Sequence, residues 1–189
     1  MKNLTRGLSI VYIFILLGCN NTNAQKISTN KPKNIILLIG DGMGLGQISA
    51  AMYQNNGSLY MENAKHIGLI KTHSASSIIT DSAAGATAFA TGKKTYNKSI
   101  NMDIDSLPLT PITYTLMEKE IKTGIVCTSS VTHATPACFY GNQINRYNVD
   151  EDLAKQFMVS NIHVLMGGGE DYFNNRTDGQ NLIDSLKEK

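Results

Sequence analysis

The fold is indicated first by residues 33–54, which read KNIILLIGDGMGLGQISAAMYQ. The continuous apolar run at residues 33–40 predicts a strand that is buried on both faces of a sheet. A glycine-rich turn follows the run, and residues 45–54 have the composition of a helix. A buried strand that leads directly into a helix is the repeating unit of proteins with a largely parallel sheet. We therefore expect an α/β domain.

The same alternation continues through the rest of the chain. Further strands are predicted at residues 66–72, 123–129 and 162–169. Further helices are predicted at residues 83–91, where Gly92 would close the helix, at 110–121, at 150–159 and at the closing residues. In parallel sheets, ligands collect at the carboxyl ends of the strands. The residues that follow each strand are therefore the candidates for function.

Charge excludes one large class of partner. The chain has 189 residues and a formal net charge of +2, with no block of like charges. Binding to nucleic acid requires a concentrated basic face, so we expect no nucleic acid partner. The length is that of one globular domain of ~100–200 residues.

The amino terminus has the features of an export signal. Residues 1–18 contain two basic side chains and then an apolar run that is too short to span a membrane, and Cys19 follows a small residue. This pattern resembles a bacterial lipoprotein signal, in which Cys19 becomes the acylated first residue. An ordinary secretory signal cleaved near Ala24 is the alternative. Residues 19–32 would form a flexible tether, and the protein would be anchored in a membrane and face the periplasm or cell surface.

Export would place Cys127 and Cys138 in an oxidising compartment. The two thiols could form a disulfide there, but two buried free thiols are an equally good interpretation of the sequence.

The predicted strand at residues 33–40 ends at an acid flanked by glycines, in GDGMGLG. Leu45 stands where a dinucleotide-binding loop requires glycine, and the later GKKT lacks the upstream glycine of a phosphate-binding loop. What remains is Asp41, which glycine neighbours would leave accessible to other groups. Asp41 is therefore either a metal ligand or a turn residue that caps the next helix.

The strand at residues 66–72 is followed by ITDSAAGATAFATGKKTYN, residues 79–97. Ser82 would lie at the start of a helix, where unpaired backbone N–H groups favour an anion. A serine hydroxyl is a poor nucleophile unless a base or a metal takes its proton, and no G-x-S-x-G motif surrounds this one. Metal activation is the better candidate. The alternative is that Asp81 or Ser82 simply caps a helix of small residues.

The strand at residues 123–129 is followed by a polar stretch, residues 129–148. His133 and Thr135 are two apart, so in extended backbone they would face the same side and could bind a cation. Arg146 follows, and a guanidinium holds phosphate oxygens in a bidentate fork. Alternatively, Thr135 is a helix cap, His133 a surface side chain and Arg146 a solvated one.

Three motifs in this order carry a resemblance to a known family. They are NIILLIGDGMG, ITDSAAGATAFATGKKTYN, and THATPA with the following NR. Together they resemble the metal-dependent alkaline phosphatases, and LMGGGEDYF at residues 165–173 is similar to a further segment of that family. The resemblance implies a three-layer α/β/α sandwich around a largely parallel sheet, of which residues 33–189 are the N-terminal portion.

The resemblance also implies roles for individual residues. Asp41 matches the carboxylate that bridges a zinc ion and the magnesium ion, and Thr135 matches a magnesium ligand. Ser82 matches the nucleophile that becomes phosphoserine, and Arg146 matches the residue that holds the phosphate. His133 departs from the best-known bacterial pattern and resembles the animal enzymes, so it is either a metal ligand or the holder of a metal-bound water.

The implied activity is hydrolysis of phosphate monoesters with two Zn²⁺ ions and one Mg²⁺ ion, with inorganic phosphate as product. A homodimer is possible for the complete protein. Family members are longer and take further zinc ligands from their C-terminal part, so we expect this chain to supply only part of each metal site. The alternatives are an inactive fragment and a superfamily relative that acts on phosphodiesters or sulfates. His66, His73 and His163 match nothing catalytic and are predicted to be structural.

Overall fold

The computed structural model describes residues 32–187. The predicted signal peptide and the predicted lipid attachment at Cys19 lie outside the described residues. The described residues fall into two units that meet between residues 39 and 40. The described part of the first unit, residues 32–39, contains neither helix nor strand.

The second unit contains several short helices and a two-stranded sheet. In chain order the elements are α1 (Leu45–Gln54), a short 3₁₀ helix (Tyr60–Asn63), α2 (Ser82–Thr91), α3 (Ile112–Met117), β1 (Gly124–Ser130), α4 (Ala134–Ala137), α5 (Asp150–Met158), β2 (Val164–Gly168), α6 (Asp171–Asn174) and α7 (Leu182–Lys187). Within residues 32–187, no helix has both the length and the apolar character needed to cross a bilayer.

β1 and β2 pair in parallel, with Ile125 opposite Leu165 and Val126 opposite Met166. The connection between the strands contains α4 and α5, as a parallel pair requires. This arrangement confirms the predicted α/β class and its parallel sheet. β1 is buried on one face only, since Ile125 is buried whereas Val126 is 73% exposed. The helices therefore cover one face of the described sheet.

Two of the predicted strands are not present in the structure. Residues 33–40 and 66–72 have no strand geometry, and Ile36 and Leu69 are 84% and 99% exposed. A strand is formed by hydrogen bonds to a neighbouring strand, and an apolar run supplies only the side chains for it. Among the described residues, β1 and β2 are the strands that find such a neighbour.

The helix predicted at residues 110–121 is shorter than expected. It ends at Met117, and Glu120 takes a left-handed backbone with φ of 59°. The predictions for α1 and α2 were correct to within one residue at each end. Gly92 ends α2 in the left-handed conformation, with φ of 73°, as predicted.

The small residues of α2 explain its position in the core. Ala83, Ala86 and Ala90 are buried on one face of the helix, and α2 packs against α4. The facing residues of α4, Ala134 and Ala137, are also buried. Because alanine has only a Cβ, the two helix backbones can approach closely. Ser82, at the start of α2, is thereby held beside the segment that carries His133 and Thr135.

Aromatic side chains fill the core on the other side of α4. Tyr140 meets Phe157 edge-to-face with ring centroids 5.6 Å apart, and Phe157 meets Phe173 at 6.3 Å. Edge-to-face contacts are a favoured arrangement of aromatic rings. They hold α5 and α6 against the chain that follows α4.

The C-terminal ends of β1 and β2 lie very close together. A Cβ added to Gly167 would lie 2.6 Å from the sulfur of Cys127 and 2.8 Å from Val131 Cγ1. Only glycine fits this position, which accounts for part of the glycine run at the end of β2. Cys127 and Cys138 are both free thiols, but only Cys138 is buried and Cys127 is half-buried.

Candidate active site

Two of the predicted site residues follow the carboxyl end of β1. His133 immediately precedes α4, and Thr135 lies within its single turn. The backbone becomes helical after His133, so the predicted extended segment with both side chains on one face was wrong. The two side chains instead reach different partners.

Asp81 is the N-cap of α2. Its Oδ1 accepts a hydrogen bond from the backbone N–H of Ala84 at 3.0 Å, and its Oδ2 accepts one from the N–H of Lys98 at 3.0 Å. The capping interpretation that the sequence left open is therefore correct for Asp81. Ser82 is the first helical residue, so its hydroxyl is not used as the cap. That hydroxyl lies at the positive end of the helix.

Arg146 connects the residues of the site to one another. Its Nη1 donates a hydrogen bond to the Oγ of Ser82, and its Nη2 lies 2.8 Å from His133 Nε2. The carboxylate of Asp81 is 3.6 Å from Nη1, and the Arg146 side chain is 16% exposed. Arg146 is thus not the solvated surface residue that the sequence allowed. The guanidinium and the start of α2 together form an environment that suits an anion.

Asp41 and Thr135 form a second contact pair. The hydroxyl of Thr135 donates to Asp41 Oδ2 at 2.8 Å, although the two residues are 94 positions apart. Carboxylate and hydroxyl oxygens are suitable ligands for Mg²⁺, so this pair fits part of a magnesium site.

A complete zinc site is not formed by the described residues. Catalytic zinc takes about three protein ligands, and residues 32–187 contain no group of three or more His, Cys, Asp or Glu side chains that could hold a metal. His133 Nε2 is engaged by Arg146. The residues present fit a magnesium ion in part and do not fit a full zinc ligand set.

The loop after α2 supports Asp81, a role that the sequence pattern did not indicate for this loop. Asn97 Oδ1 accepts from the N–H of Asp81 at 3.3 Å, and Asn97 Nδ2 donates to the carbonyl of Ile79 at 2.9 Å. The carbonyl of Lys98 accepts from the backbone N–H of Arg146 at 2.8 Å. The one available signal was that Asn97 closes the long motif at residues 79–97.

Asn101 links the same loop to the core by hydrogen bonds. It is fully buried, its N–H donates to Thr87 Oγ1 at 2.9 Å, and its Nδ2 donates to the carbonyl of Gly141 at 2.8 Å. Hydrogen bonds between buried polar groups fix the relative position of the segments they join. Here they join α2 to the chain that leads from α4 to Arg146.

Cys138 packs directly behind the start of α2. Its sulfur lies 3.5 Å from the carbonyl of Ala83 and 3.5 Å from Thr87 Oγ1. Burial raises the pKa of this thiol to about 12. Cys138 therefore stays protonated over the physiological range and is a packing residue rather than a nucleophile.

His163 lies at the opposite end of the sheet from His133. Its Nδ1 accepts from the N–H of Thr123 at 3.3 Å, just before β1 begins. The carbonyl of His73 accepts from the side chain of Lys94. The His73 contact involves only its backbone and His66 is exposed, so the structural role predicted for His66, His73 and His163 stays a prediction.

Comparison with known proteins gives consistent matches. A family model described as alkaline phosphatase matches residues 32–189. Alkaline phosphatase 4 of Bacillus subtilis (strain 168) is 33% identical over 202 residues, which cover 96% of this chain and 43% of the relative. The structure of alkaline phosphatase from the Antarctic bacterium TAB5 matches with a TM-score of 0.79 at 46% identity, over 83% of this chain and 46% of that one. A variant of the TAB5 enzyme with Mg bound has the same TM-score at 45% identity, over 83% of this chain and 45% of that one.

The chain thus spans less than half the length of these relatives.

Proposed function

The chain belongs to the alkaline phosphatase family, and on this premise we propose that it carries the nucleophile and the phosphate-binding arginine of a phosphomonoesterase. The observation that carries the proposal is the hydrogen bond from Arg146 Nη1 to Ser82 Oγ. It brings a cation and a hydroxyl together at the N-terminus of a ten-residue helix. An anionic phosphate ester would be held at that point by the guanidinium and by the first N–H groups of α2.

The reaction then follows from the chemistry of these groups. Ser82 Oγ gives up its proton and attacks the phosphorus, and the bond from phosphorus to the ester oxygen breaks. The phosphoryl group is transferred to Ser82, and the ester oxygen leaves as the alcohol after it takes a proton from water. Water then cleaves the phosphoserine and releases inorganic phosphate. Through both steps Arg146 holds phosphoryl oxygens and balances their charge, as is usual in phosphoryl transfer. A broad range of phosphate monoesters is the proposed substrate class.

Two zinc ions and one magnesium ion are the proposed cofactors. Asp41 and Thr135 would hold the magnesium ion, Asp41 would also contact zinc, and Ser82 would bind zinc through its hydroxyl. Zinc in such a site lowers the pKa of a bound hydroxyl and so supplies an active nucleophile near neutral pH. His133 would be either a ligand or the holder of a bound water. The contact between Asp41 and Thr135 supports the magnesium assignment, as does the Mg-bound TAB5 variant.

We propose that the remaining metal ligands belong to a region of the complete protein. That region would correspond to the part of the longer relatives that this chain does not span. The 189-residue chain would then be inactive alone, because Ser82 keeps its proton without zinc. Residues 1–18 are proposed as a lipoprotein signal and residues 19–32 as a tether. The complete protein would be attached to a membrane through Cys19, facing the periplasm or the cell surface, and a homodimer is possible.

A chimaera tests the proposal. Residues 33–189 would be joined to the part of the TAB5 enzyme that they do not match, and the product would be assayed with a chromogenic phosphate monoester at alkaline pH. We expect activity that needs zinc, and acid-trapped phosphate on Ser82. The chain without the TAB5 part should show background rates, and the matched Ser82→Ala chimaera should lose several orders of magnitude in turnover. A folded, metal-loaded chimaera without activity, or label on another residue, would contradict the proposal.

A further inference from the structure

The backbone of Lys98 joins the two halves of the site. Its N–H donates to Asp81 Oδ2 at 3.0 Å, and its carbonyl accepts from the N–H of Arg146 at 2.8 Å. Asp81 directly precedes Ser82, and Arg146 carries the guanidinium that reaches the Ser82 hydroxyl. A single residue is therefore hydrogen-bonded to both sides of the contact on which phosphate binding would depend.

Both hydrogen bonds require an uncommon backbone conformation at Lys98. Its φ is 75°, in the left-handed region that glycine adopts readily and β-branched residues avoid. In that conformation the N–H is directed toward Asp81 and the carbonyl toward Arg146. A change of φ would redirect at least one of the two groups.

The side chain of Lys98 contributes much less. Its Nζ lies 5.6 Å from the ring centroid of Tyr147, the residue after Arg146. Both side chains are exposed, and a cation–π contact at an exposed site is weak. The backbone conformation, rather than the ammonium group, is the feature that links Asp81 to Arg146.

We propose that Lys98 is a positioning residue whose left-handed backbone sets the guanidinium of Arg146 against Ser82 before a phosphate group binds. The proposal rests on the proposed function, since phosphate is the group that Arg146 would then hold. An arginine that is already oriented loses less side-chain entropy on binding than a mobile one. Lys98 would thus affect the binding of phosphate without touching it.

The first test needs no catalytic activity. The Nη groups of Arg146 would be observed by ¹⁵N–¹H NMR in the full chain and in Lys98→Val, Lys98→Gly and Lys98→Ala. In the unchanged chain we expect separate signals for the two Nη groups, because one contacts Ser82 and the other His133. Lys98→Val should merge them through free rotation, whereas Lys98→Gly and Lys98→Ala should keep them separate. Separate signals in Lys98→Val, or merged signals in the unchanged chain, would overturn the proposal.

A matched control separates positioning from general strain. Glu120 also has a left-handed backbone, with φ of 59°, and its N–H bonds the carbonyl of Met117 rather than a site residue. Glu120→Val should therefore leave the Arg146 signals separate. Merged Arg146 signals in Glu120→Val as well would show that destabilisation alone explains the merging in Lys98→Val. If Lys98→Val does not fold by circular dichroism, the milder β-branched variant Lys98→Thr takes its place.

The second test uses the active chimaera described above. Lys98→Val should raise KM and the inhibition constant of inorganic phosphate together by about 10-fold, with a smaller change in kcat, because a charge-assisted contact is lost. Lys98→Gly should restore both constants. A lower kcat with an unchanged phosphate constant would overturn the positioning role. If no variant or parent chimaera shows turnover, the proposed function fails, while the NMR result still decides the role of Lys98.

Discussion

Arg146 Nη1 donates a hydrogen bond to Ser82 Oγ across 64 positions of sequence. Asp81, beside Ser82, lies 3.6 Å from the same nitrogen and balances its charge. The guanidinium is thus held between a hydroxyl and a carboxylate at the start of α2. A phosphate group that enters the site would replace the hydroxyl as the hydrogen-bond partner of Arg146.

Replacement of Arg146 should weaken phosphate binding. In the active chimaera, Arg146→Ala should cost about 1.5–3 kcal/mol in the binding of both substrate and inorganic phosphate, as for a hydrogen bond to a charged group. The measurements are KM and the competitive inhibition constant of phosphate. Metal content should remain that of the parent. Loss of metal with unchanged phosphate inhibition would instead assign Arg146 a structural role.

Asp81 should stabilise α2 chiefly as its N-cap. Asp81→Ala should lower the free energy of unfolding by about 1 kcal/mol, whereas Asp81→Asn should cost much less because asparagine also caps helices well. Urea denaturation of the 189-residue chain measures both. An Asn variant as unstable as the Ala variant would show that the second carboxylate oxygen, which faces Lys98 N–H and Arg146, provides the stability rather than the cap.

Thr135 should contribute to Mg²⁺ binding through its hydroxyl oxygen. Thr135→Val preserves the shape of the side chain but removes the group that donates to Asp41. We expect weaker binding of Mg²⁺ in the chimaera and a higher magnesium requirement for activity, with Thr135→Ser close to the parent. The affinity for Mg²⁺ would be measured by titrating the activity with magnesium and by calorimetry of Mg²⁺ binding. Equal magnesium affinity in the Val and parent proteins would remove Thr135 from the ligand set.

Cys138 should make the fold sensitive to strongly alkaline pH. Its thiol has an ordinary pKa of 9.0, and burial raises the pKa to about 12 in the folded state. Because the raised pKa belongs to the folded state, the stability linked to this thiol is fully present below pH 9 and is lost as the pH rises toward 12. The parent should lose up to about 1.4 kcal/mol per pH unit there relative to Cys138→Ala.

The check for Cys138 is denaturant unfolding of both chains at several pH values from 8 to 11. Other groups that titrate in this range affect both chains alike, so the difference between them isolates Cys138. If the free energy of unfolding changes with pH in the same way in the parent and in Cys138→Ala, the thiol is not the titrating group.

Cys19 should determine where the complete protein is found. If residues 1–18 are a lipoprotein signal, the mature protein should fractionate with membranes, and Cys19→Ala should release it or block its processing. Fractionation followed by mass spectrometry of the first residue distinguishes an acylated Cys19 from a chain cleaved near Ala24. A parent protein that is recovered without lipid and in the soluble fraction would refute the anchor.

The helices α1, α2 and α5 could be predicted because their signals are local. α2 begins after Asp81, whose carboxylate bonds an N–H only three residues away. It ends at Gly92, which adopts the left-handed backbone that favours glycine. Such caps involve neighbouring residues, so they can be identified in the sequence without knowing the fold.

The strands could be predicted only in part. Residues 124–130 and 164–168 pair with each other, but the equally apolar residues 33–40 and 66–72 have no strand geometry among the described residues. Both kinds of segment carry the same pattern of side chains. The difference is whether a neighbouring backbone is in place, and that information is not contained in the apolar run itself.

The sequence by itself determined the residue types of the site, the helix ends at Asp81 and Gly92, and the family motifs that contain Ser82 and Arg146. Tertiary structure alone decided that Arg146 would meet Ser82 and that Thr135 would meet Asp41, contacts that span 64 and 94 positions. It also decided that Lys98 would bond both Asp81 and Arg146. The physical reason is the sequence separation of the residues in contact. A helix cap forms between residues within one turn of each other. A contact across the chain depends instead on how α2 and α4 pack, and therefore on every residue in the core between them.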